Sequence, residues 1–508
     1  MSLNRQIESA RAYHAETAHS PRSVRTDGHV LEWEIKPAPF KIYPDLEAIS
    51  LPQDLPALDL DTLEALAGGA GVSRALDLDH LAALLFFSAG VTKRKSHPGG
   101  GELHFRAAPS TGALYQTEVY VVAGAVEGLP PGVYHFCPGD FALRRLRAGD
   151  FRGAVAVAAA DDRAGRVPAT LVLSGLHWRN AWKYRARAYR HLFWDAGAML
   201  ANALSAAAGL GYAAWTVTGF VDSEVNGLLG LDPGKEGALV LVPIGAEGQS
   251  AAPPPVVVPL HHPVVPLSSS EVDYPAIREA YAHSSLDSEA EVMEWREPTV
   301  LARSVDSLEP PRVRLPTPRA AAGRGLGETI VARGSTREFS GAAINAEALS
   351  TALSHATRPW PGDAPQGLVS LYVNVHAVEG IPPGAYVYRR EDHALEPLKA
   401  GDLRRDSAFL CLEQPLGGSS SATVFFLADL GGVLERFGNR GYRLANLEAG
   451  LVGGRLYLGA YAQRFGATGL TFYDDAVVAF FSPHAAGKDA IFVTALGRSA
   501  ALPAPRGF

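Results

Sequence analysis

The sequence holds only two cysteines among 508 residues, Cys137 and Cys411, too few for a disulfide framework or a cysteine metal site. It has no block of like charge, and its net charge of −7 speaks against nucleic acid or an anionic membrane as partner, since both are held by clustered cations. No apolar run approaches the length of a membrane span, and the opening stretch MSLNRQIESARAYHAETAHS lacks the apolar centre of a secretory signal. A soluble, cytoplasmic protein is expected. The sixteen histidines show no metal-ligand spacing with cysteines or clustered carboxylates, so no metal site is expected. GRGLGE (323–328) has loosely spaced glycines but follows no strand, which removes the context a dinucleotide fingerprint needs. What is present, 47% hydrophobic and 19% charged residues over this length, suffices for two buried cores.

The chain repeats itself. VYVVAGAVEGLPPGVYHF (119–136) matches LYVNVHAVEGIPPGAYVY (371–388), and AGDFR (148–152) matches AGDLR (400–404). An offset of about 250 residues also aligns NAWKYRARAYRHLFWDAG (180–197) with ERFGNRGYRLANLEAG (435–450), pairing Tyr189 with Tyr442 and Gly197 with Gly450, and it carries Asp222 onto Asp475. Each copy reads as a Leu/Ala-rich helix, a hairpin turning at Glu-Gly-Leu/Ile-Pro-Pro-Gly, a long buried helix and a closing strand at Ile244-Gly245 or Leu496-Gly497. Asn345 caps the first helix of the second copy. The expected layout is an extended arm (1–60), a first domain (61–248), a proline-rich linker (249–320) whose stretch AAPPPVVVPLHHPVVPLSSS is extended, and a second domain (321–508). A duplicated fold in one chain imitates a two-fold dimer, with a site possible at each side of the internal axis.

The copies have kept different things. The first has the turn Pro109-Ser110-Thr111-Gly112-Ala113 where the second keeps only Pro361, and Lys183-Tyr184, expected at the head of the long helix, where the second has Arg436-Phe437. The second has Arg333, Ser335 and Arg337 in alternation, a cradle for a phosphate if the backbone is extended, opposite Ala65, Ala67 and Gly69 of the first. Each feature has a plainer reading: a bare turn, a basic helix start, a capping box Ser335-x-x-Glu338. Asp195 and Glu448 occupy equivalent helix positions and are expected to face arginines across the axis. The glycine-rich basic loop 93–106 reads either as a lid or as an idle surface loop.

RAAPSTGALYQTEVYVV, WRNAWKYRARAYRHLFWDAG and GFVDSEVNGLLGLD resemble the SagB/ThcOx-type azoline dehydrogenases of the nitroreductase superfamily. The resemblance implies an α+β fold of two tandem nitroreductase-like domains forming an intramolecular pseudo-dimer. It also implies FMN bound between them, and oxidation of peptidic thiazolines or oxazolines to thiazoles or oxazoles, with a precursor peptide as substrate and a cyclodehydratase as partner. Carried onto this sequence, Arg106, Pro109, Ser110, Gly112, Ala113 and Leu114 would hold the flavin ring, and Arg333, Ser335, Arg337 and Arg498 its phosphate. Thr471 and Phe472 would pass near its hydride-accepting nitrogen, and Lys183 and Tyr184 would be catalytic. Complementary halves then make one FMN site per chain. The alternatives are another small or carrier-bound substrate for the same flavoenzyme, or a non-catalytic flavin-fold scaffold.

Overall fold

The two long helices at the centre of the molecule are made by Ala- and Leu-rich sequence with almost no β-branched residues, which lets them run unbroken while buried on nearly every side. The computed structural model describes residues 2–68, 74–96, 102–248, 251, 253–297 and 312–500. Six helices build the site and the contact between the halves: α1 (Glu8–Glu16), α2 (His177–Tyr184), α3 (Ala188–Gly209), α4 (Pro275–His283), α5 (Leu430–Phe437) and α6 (Arg440–Ala462). Among the described residues no helix is long and apolar enough to cross a membrane.

Each half has its own antiparallel sheet. In the first the spatial order is 48–50, 142–148, 132–137, 117–123, 169–176, 236–244; in the second, 313–314, 394–400, 384–389, 369–375, 422–428, 489–497 run in the same order. The second sheet gains an edge strand, Gly466–Gly469, paired antiparallel with 489–497. The two Pro-Pro-Gly hairpins pair as the repeat requires, Val119 with Phe136 and Tyr372 with Val387. Asn345 accepts the Ala348 amide at 2.7 Å as the cap of Ala346–Ala356.

α3 and α6 cross where both lack a side chain. A methyl group on Gly197 would lie 2.2 Å from the Leu447 carbonyl, and one on Gly450 would lie 2.2 Å from that of Trp194. Backbone meets backbone there, and the Trp194 indole N–H donates to Asn446 Oδ1 at 2.7 Å beside the crossing. The halves are further joined by two buried clamps. Asp222 of the first half accepts from Arg440 and Arg443 of the second, and Asp474 of the second accepts from Arg187 and Arg190 of the first. Asp474, not Asp475, is therefore the counterpart of Asp222.

Two further expectations are corrected. Lys183 and Tyr184 do not head the long helix; they end the short α2, because Arg185 adopts φ 52°, ψ −140° and breaks the chain before α3. The second half makes the same break with Gly438 at φ 66°, ψ −160°, where a glycine accepts the conformation at little cost. The arm is not extended throughout, since it carries α1 and a short helix at Pro21–Thr26; in the linker, residues 253–266 carry no helix or strand, and α4 and a helix at Glu289–Arg296 come after them. α4 and α1 play matching parts. Asp222 and Leu286, just past α4, exchange two hydrogen bonds of 3.1 and 3.0 Å; Asp474 and His19, just past α1, do the same at 2.9 and 2.8 Å. Arm and linker thus belong to the repeat, which is longer than the two sheets.

Candidate functional site

The Pro-Ser turn is built by an unusual backbone. Gly112, Ala113 and Tyr115 all have positive φ, at 67°, 54° and 54°, a strain that persists only where surrounding contacts impose it. Asp195 of α3 imposes it. Its carboxylate accepts from Ser110 Oγ at 2.5 Å, from the Thr111 amide at 3.0 Å and from Thr111 Oγ1 at 2.8 Å. Burial, only partly offset by these bonds, raises the Asp195 pKa to about 6. Glu448, at the matching place on α6, holds the Gly367 and Val369 amides and is raised by burial to about 7. Neither carboxylate pairs with an arginine across the axis, which corrects that expectation: each anchors a loop of its own half.

Tyr184 lies over this turn. A methyl group on Gly112 would sit 2.7 Å from the Tyr184 hydroxyl, so only glycine leaves the ring its place. The other side of the ring meets His191 edge-on at 4.6 Å, and the His191 ring is fixed by Asn180 at 2.8 Å. Burial pushes the Tyr184 phenol well above the ordinary value, the Asp195 charge adds to this, and Arg337 opposes it. Lys183 Nζ stands 5.3 Å from the Tyr184 ring centre; its pKa is lowered by burial and then by Arg337. Arg337 comes from the second half, so the lysine, the phenol and one arginine of the cradle share one place. Carboxylates neutralise the other arginines near the pair: Arg179 with Glu118, Arg185 with Asp27, Arg187 with Asp474.

The cradle itself is irregular rather than a strand. Arg333 is buried and donates to the carbonyls of Arg106 (2.7 Å) and Ala107 (3.0 Å), tying the second half to the residues just before the Pro-Ser turn. Ser335 Oγ lies 3.2 Å from the Tyr457 hydroxyl, which accepts the Gly469 amide at 2.6 Å. Among the described residues, the buried Thr336 Oγ1 has no hydrogen-bond partner, and the exposed Arg337 has no carboxylate within 4.0 Å. Arg498 joins the same loop, donating to the Ala343 carbonyl at 2.9 Å beside the Phe339–Ser499 bridge.

The side chains of three predicted contacts are held elsewhere. The Arg106 guanidinium donates to the Pro39 carbonyl at 2.7 Å between the Phe40 and Tyr115 rings, so it ties down the arm and only its backbone faces Arg333. Phe472 is fully buried beside Trp194 and Arg187, and only its backbone is left for a ligand. Thr471 accepts from Gln414 Nε2 at 3.0 Å. Pro109, Ser110 and Leu114 are half-buried and Gly112 and Ala113 exposed, as a turn that receives a flat group requires. Residues 97–101 of the basic loop and Gly69 lie outside the described residues. Asp195 and Tyr457 were not legible as site builders: a lone helical carboxylate or phenol gives no signal of the loop it holds. Among the described residues no group of three or more His, Cys, Asp or Glu could hold a metal.

The sequence model of the nitroreductase family matches residues 56–246. A protein of Methanocaldococcus jannaschii named as a nitroreductase is 29% identical over 174 residues, 34% of this chain and 82% of that protein. A crystal structure from Anabaena variabilis, also named as a nitroreductase, superposes with a TM-score of 0.79 at 28% identity, covering 97% of this chain and 99% of that one. An E. coli microcin synthetase complex with a truncated pro-peptide bound matches 48% of the chain at 21% identity, with a TM-score of 0.31 that is too low to carry an argument. The chain therefore carries a nitroreductase-family domain at residues 56–246 within an α+β nitroreductase-like fold that covers 97% of its length.

Proposed function

We propose that the protein is an FMN-dependent azoline dehydrogenase of the SagB/ThcOx type, acting as an internal pseudo-dimer on thiazoline- or oxazoline-containing peptides made by a cyclodehydratase. The observation that carries the reading is that Lys183 and Tyr184 stand together above the Gly112 turn of one half, within reach of the Arg337 charge of the other. The residues suit FMN. The orphaned Thr336 hydroxyl and unpaired Arg337 suit a phosphate, and the Pro109–Leu114 turn offers a flat seat.

FMN bound there would take up a hydride from the azoline ring carbon. Lys183 removes the acidic proton from the neighbouring carbon, alpha to the carbonyl, because its lowered pKa keeps a larger neutral fraction than a free lysine has. Tyr184, held as a phenol by burial, donates a hydrogen bond and orients the ring. The carboxylate of Asp195 fixes the turn on which both depend.

The reading includes one FMN per chain. The mirror-image cleft, around Trp360, Glu448 and Leu447, encloses only about 30 Å³, the room of about one water. Asp363 closes it by accepting from the Thr218 and Gly219 amides at 2.8 Å each, and the buried Arg455 guanidinium packs over Trp360. The test is purification of the full chain with its flavin. A 1:1 FMN-to-protein ratio is expected. With a synthetic thiazoline peptide, Lys183→Ala and Tyr184→Phe should lose oxidation by about 10²–10⁴-fold, while dithionite still reduces the flavin. A colourless protein, or variants as active as the parent, would refute it.

A further inference from the structure

The start of α2 differs from its copy in a way the flavin site does not use. In the second half the residue before α5 is Asp429, whose carboxylate accepts the Gly432 amide at 3.0 Å and caps the helix. At the matching place before α2 stands Leu176, with the extended φ −85°, ψ 107° of a cap and a side chain that cannot accept a hydrogen bond. The His177 amide is spent on the Lys235 carbonyl at 2.9 Å, which leaves the next amides of the first turn without a side-chain cap. Over this helix end lies a cavity of about 660 Å³, lined by Leu176, His177, Trp178, Leu231, Leu267 and Ile277 among others.

His177 is 5% exposed and lines the cavity, and among the described residues neither ring nitrogen meets the geometry of a hydrogen bond, the Gly234 backbone lying close enough only to raise its pKa slightly. Burial lowers its pKa to about 4, so at neutral pH it offers a neutral ring with one N–H to donate. The charged groups around the cavity are mostly spent. Lys41 pairs with Glu236 at 2.6 Å, Lys235 with Glu271, Arg278 with Asp273, and Asp232 accepts the Gly234 amide. The rest of the wall is apolar, and Val264, Val265 and Val272 at the mouth are partly exposed.

We infer that this cavity binds a ligand with a carboxylate on an apolar body, the carboxylate taking the capping place at the start of α2 that Asp429 fills for α5. The amides of the first turn and the His177 N–H supply the donors, and the positive end of the helix dipole favours the charge. The apolar wall receives an aliphatic or aromatic side chain. Such a carboxylate belongs either to a free small acid or to the C-terminus of a peptide. The site is independent of the flavin reading, since it shares no residue with it.

Isothermal titration of the full-length, flavin-loaded protein tests this, with Trp178 fluorescence as a second signal. The probes are N-acetylleucine and a hexapeptide ending in leucine, each as free acid and as C-terminal amide. The acids should bind at least about tenfold more tightly than the amides. Binding of the peptide acid alone assigns the site to chain termini; equal binding of both acids assigns it to small acids. Leu176→Asp, which restores the cap of the second half in place of a buried leucine, should abolish acid binding in the folded variant, and Val265→Trp should block the mouth from a surface position. Equal affinity for acid and amide, no binding at millimolar concentration, or binding unchanged in the folded Val265→Trp variant would overturn the inference.

Discussion

The chemistry of the site comes down to two side chains pushed in opposite directions. Burial holds the half-buried Tyr184 phenol above its ordinary pKa, and partial desolvation with the Arg337 charge holds the Lys183 ammonium, still open to solvent, below its own, so each moves toward its neutral form. A base acts when deprotonated. The proposed kcat/KM should therefore rise with pH through the Lys183 pKa and level off, with the midpoint below the ordinary lysine value of 10.5. Arg337 lowers that midpoint, so Arg337→Gln, assayed at saturating FMN, should move the rise to higher pH; an unmoved rise would remove Lys183 from the role of base. Gly112→Ala places a methyl group 2.7 Å from the Tyr184 hydroxyl in a backbone already at φ 67°. It should cut azoline oxidation, measured per bound flavin, toward the level of Tyr184→Phe.

At the scale of elements, the contact between α3 and α6 sets the distance between the halves, and with it the gap the proposed flavin occupies. The contact is backbone to backbone, so it has no slack. Gly450→Ala would drive a methyl group to 2.2 Å from the Trp194 carbonyl and force the helices apart. The expected outcome is a loss of about 2–3 kcal/mol in denaturant unfolding, the usual cost of overpacking, together with weaker FMN retention. The duplication was legible in the sequence because strands 117–123 and 369–375 keep both their residues and their turns. The break between α2 and α3 was not, since an arginine at positive φ leaves no trace; its copy, Gly438, carried the signal. The match of α1 to α4 was hidden because only a few residues, such as Tyr13 and Tyr281, are shared, and hydrogen bonds to the clamp aspartates define the rest. The meeting of Arg337 with Lys183 was readable only as an inference from what each copy had lost, since no local pattern spans the two halves.

For the molecule as a whole, each half lends the other its charges. Asp222 and Asp474 sit in arginine pairs of the opposite half, all fully buried, so removing one carboxylate strands two guanidiniums. Asp222→Asn should cost about 3–5 kcal/mol and lower the melting temperature of the entire chain in one transition, because the clamp belongs to both halves. The pH dependence of stability has two opposed parts. The Asp474 carboxyl is lowered to about 2 from 3.8 by Arg187 and Arg190 acting against burial, so its contribution is present above pH 3.8 and is lost as pH falls toward 2. Glu448 runs the other way. Its folded pKa, raised by burial to about 7 from 4.5, means the native state holds a proton that the unfolded chain has released. Stability therefore falls as pH rises between 4.5 and 7, and the penalty is complete above 7. Glu448→Gln removes the titrating group while its amide oxygen can still accept from Gly367 and Val369. In urea unfolding the variant should show no decline across that window and should exceed the parent by roughly 3 kcal/mol at pH 8, with the two converging near pH 4; a parallel decline in both would show that Glu448 is ionised in the folded protein.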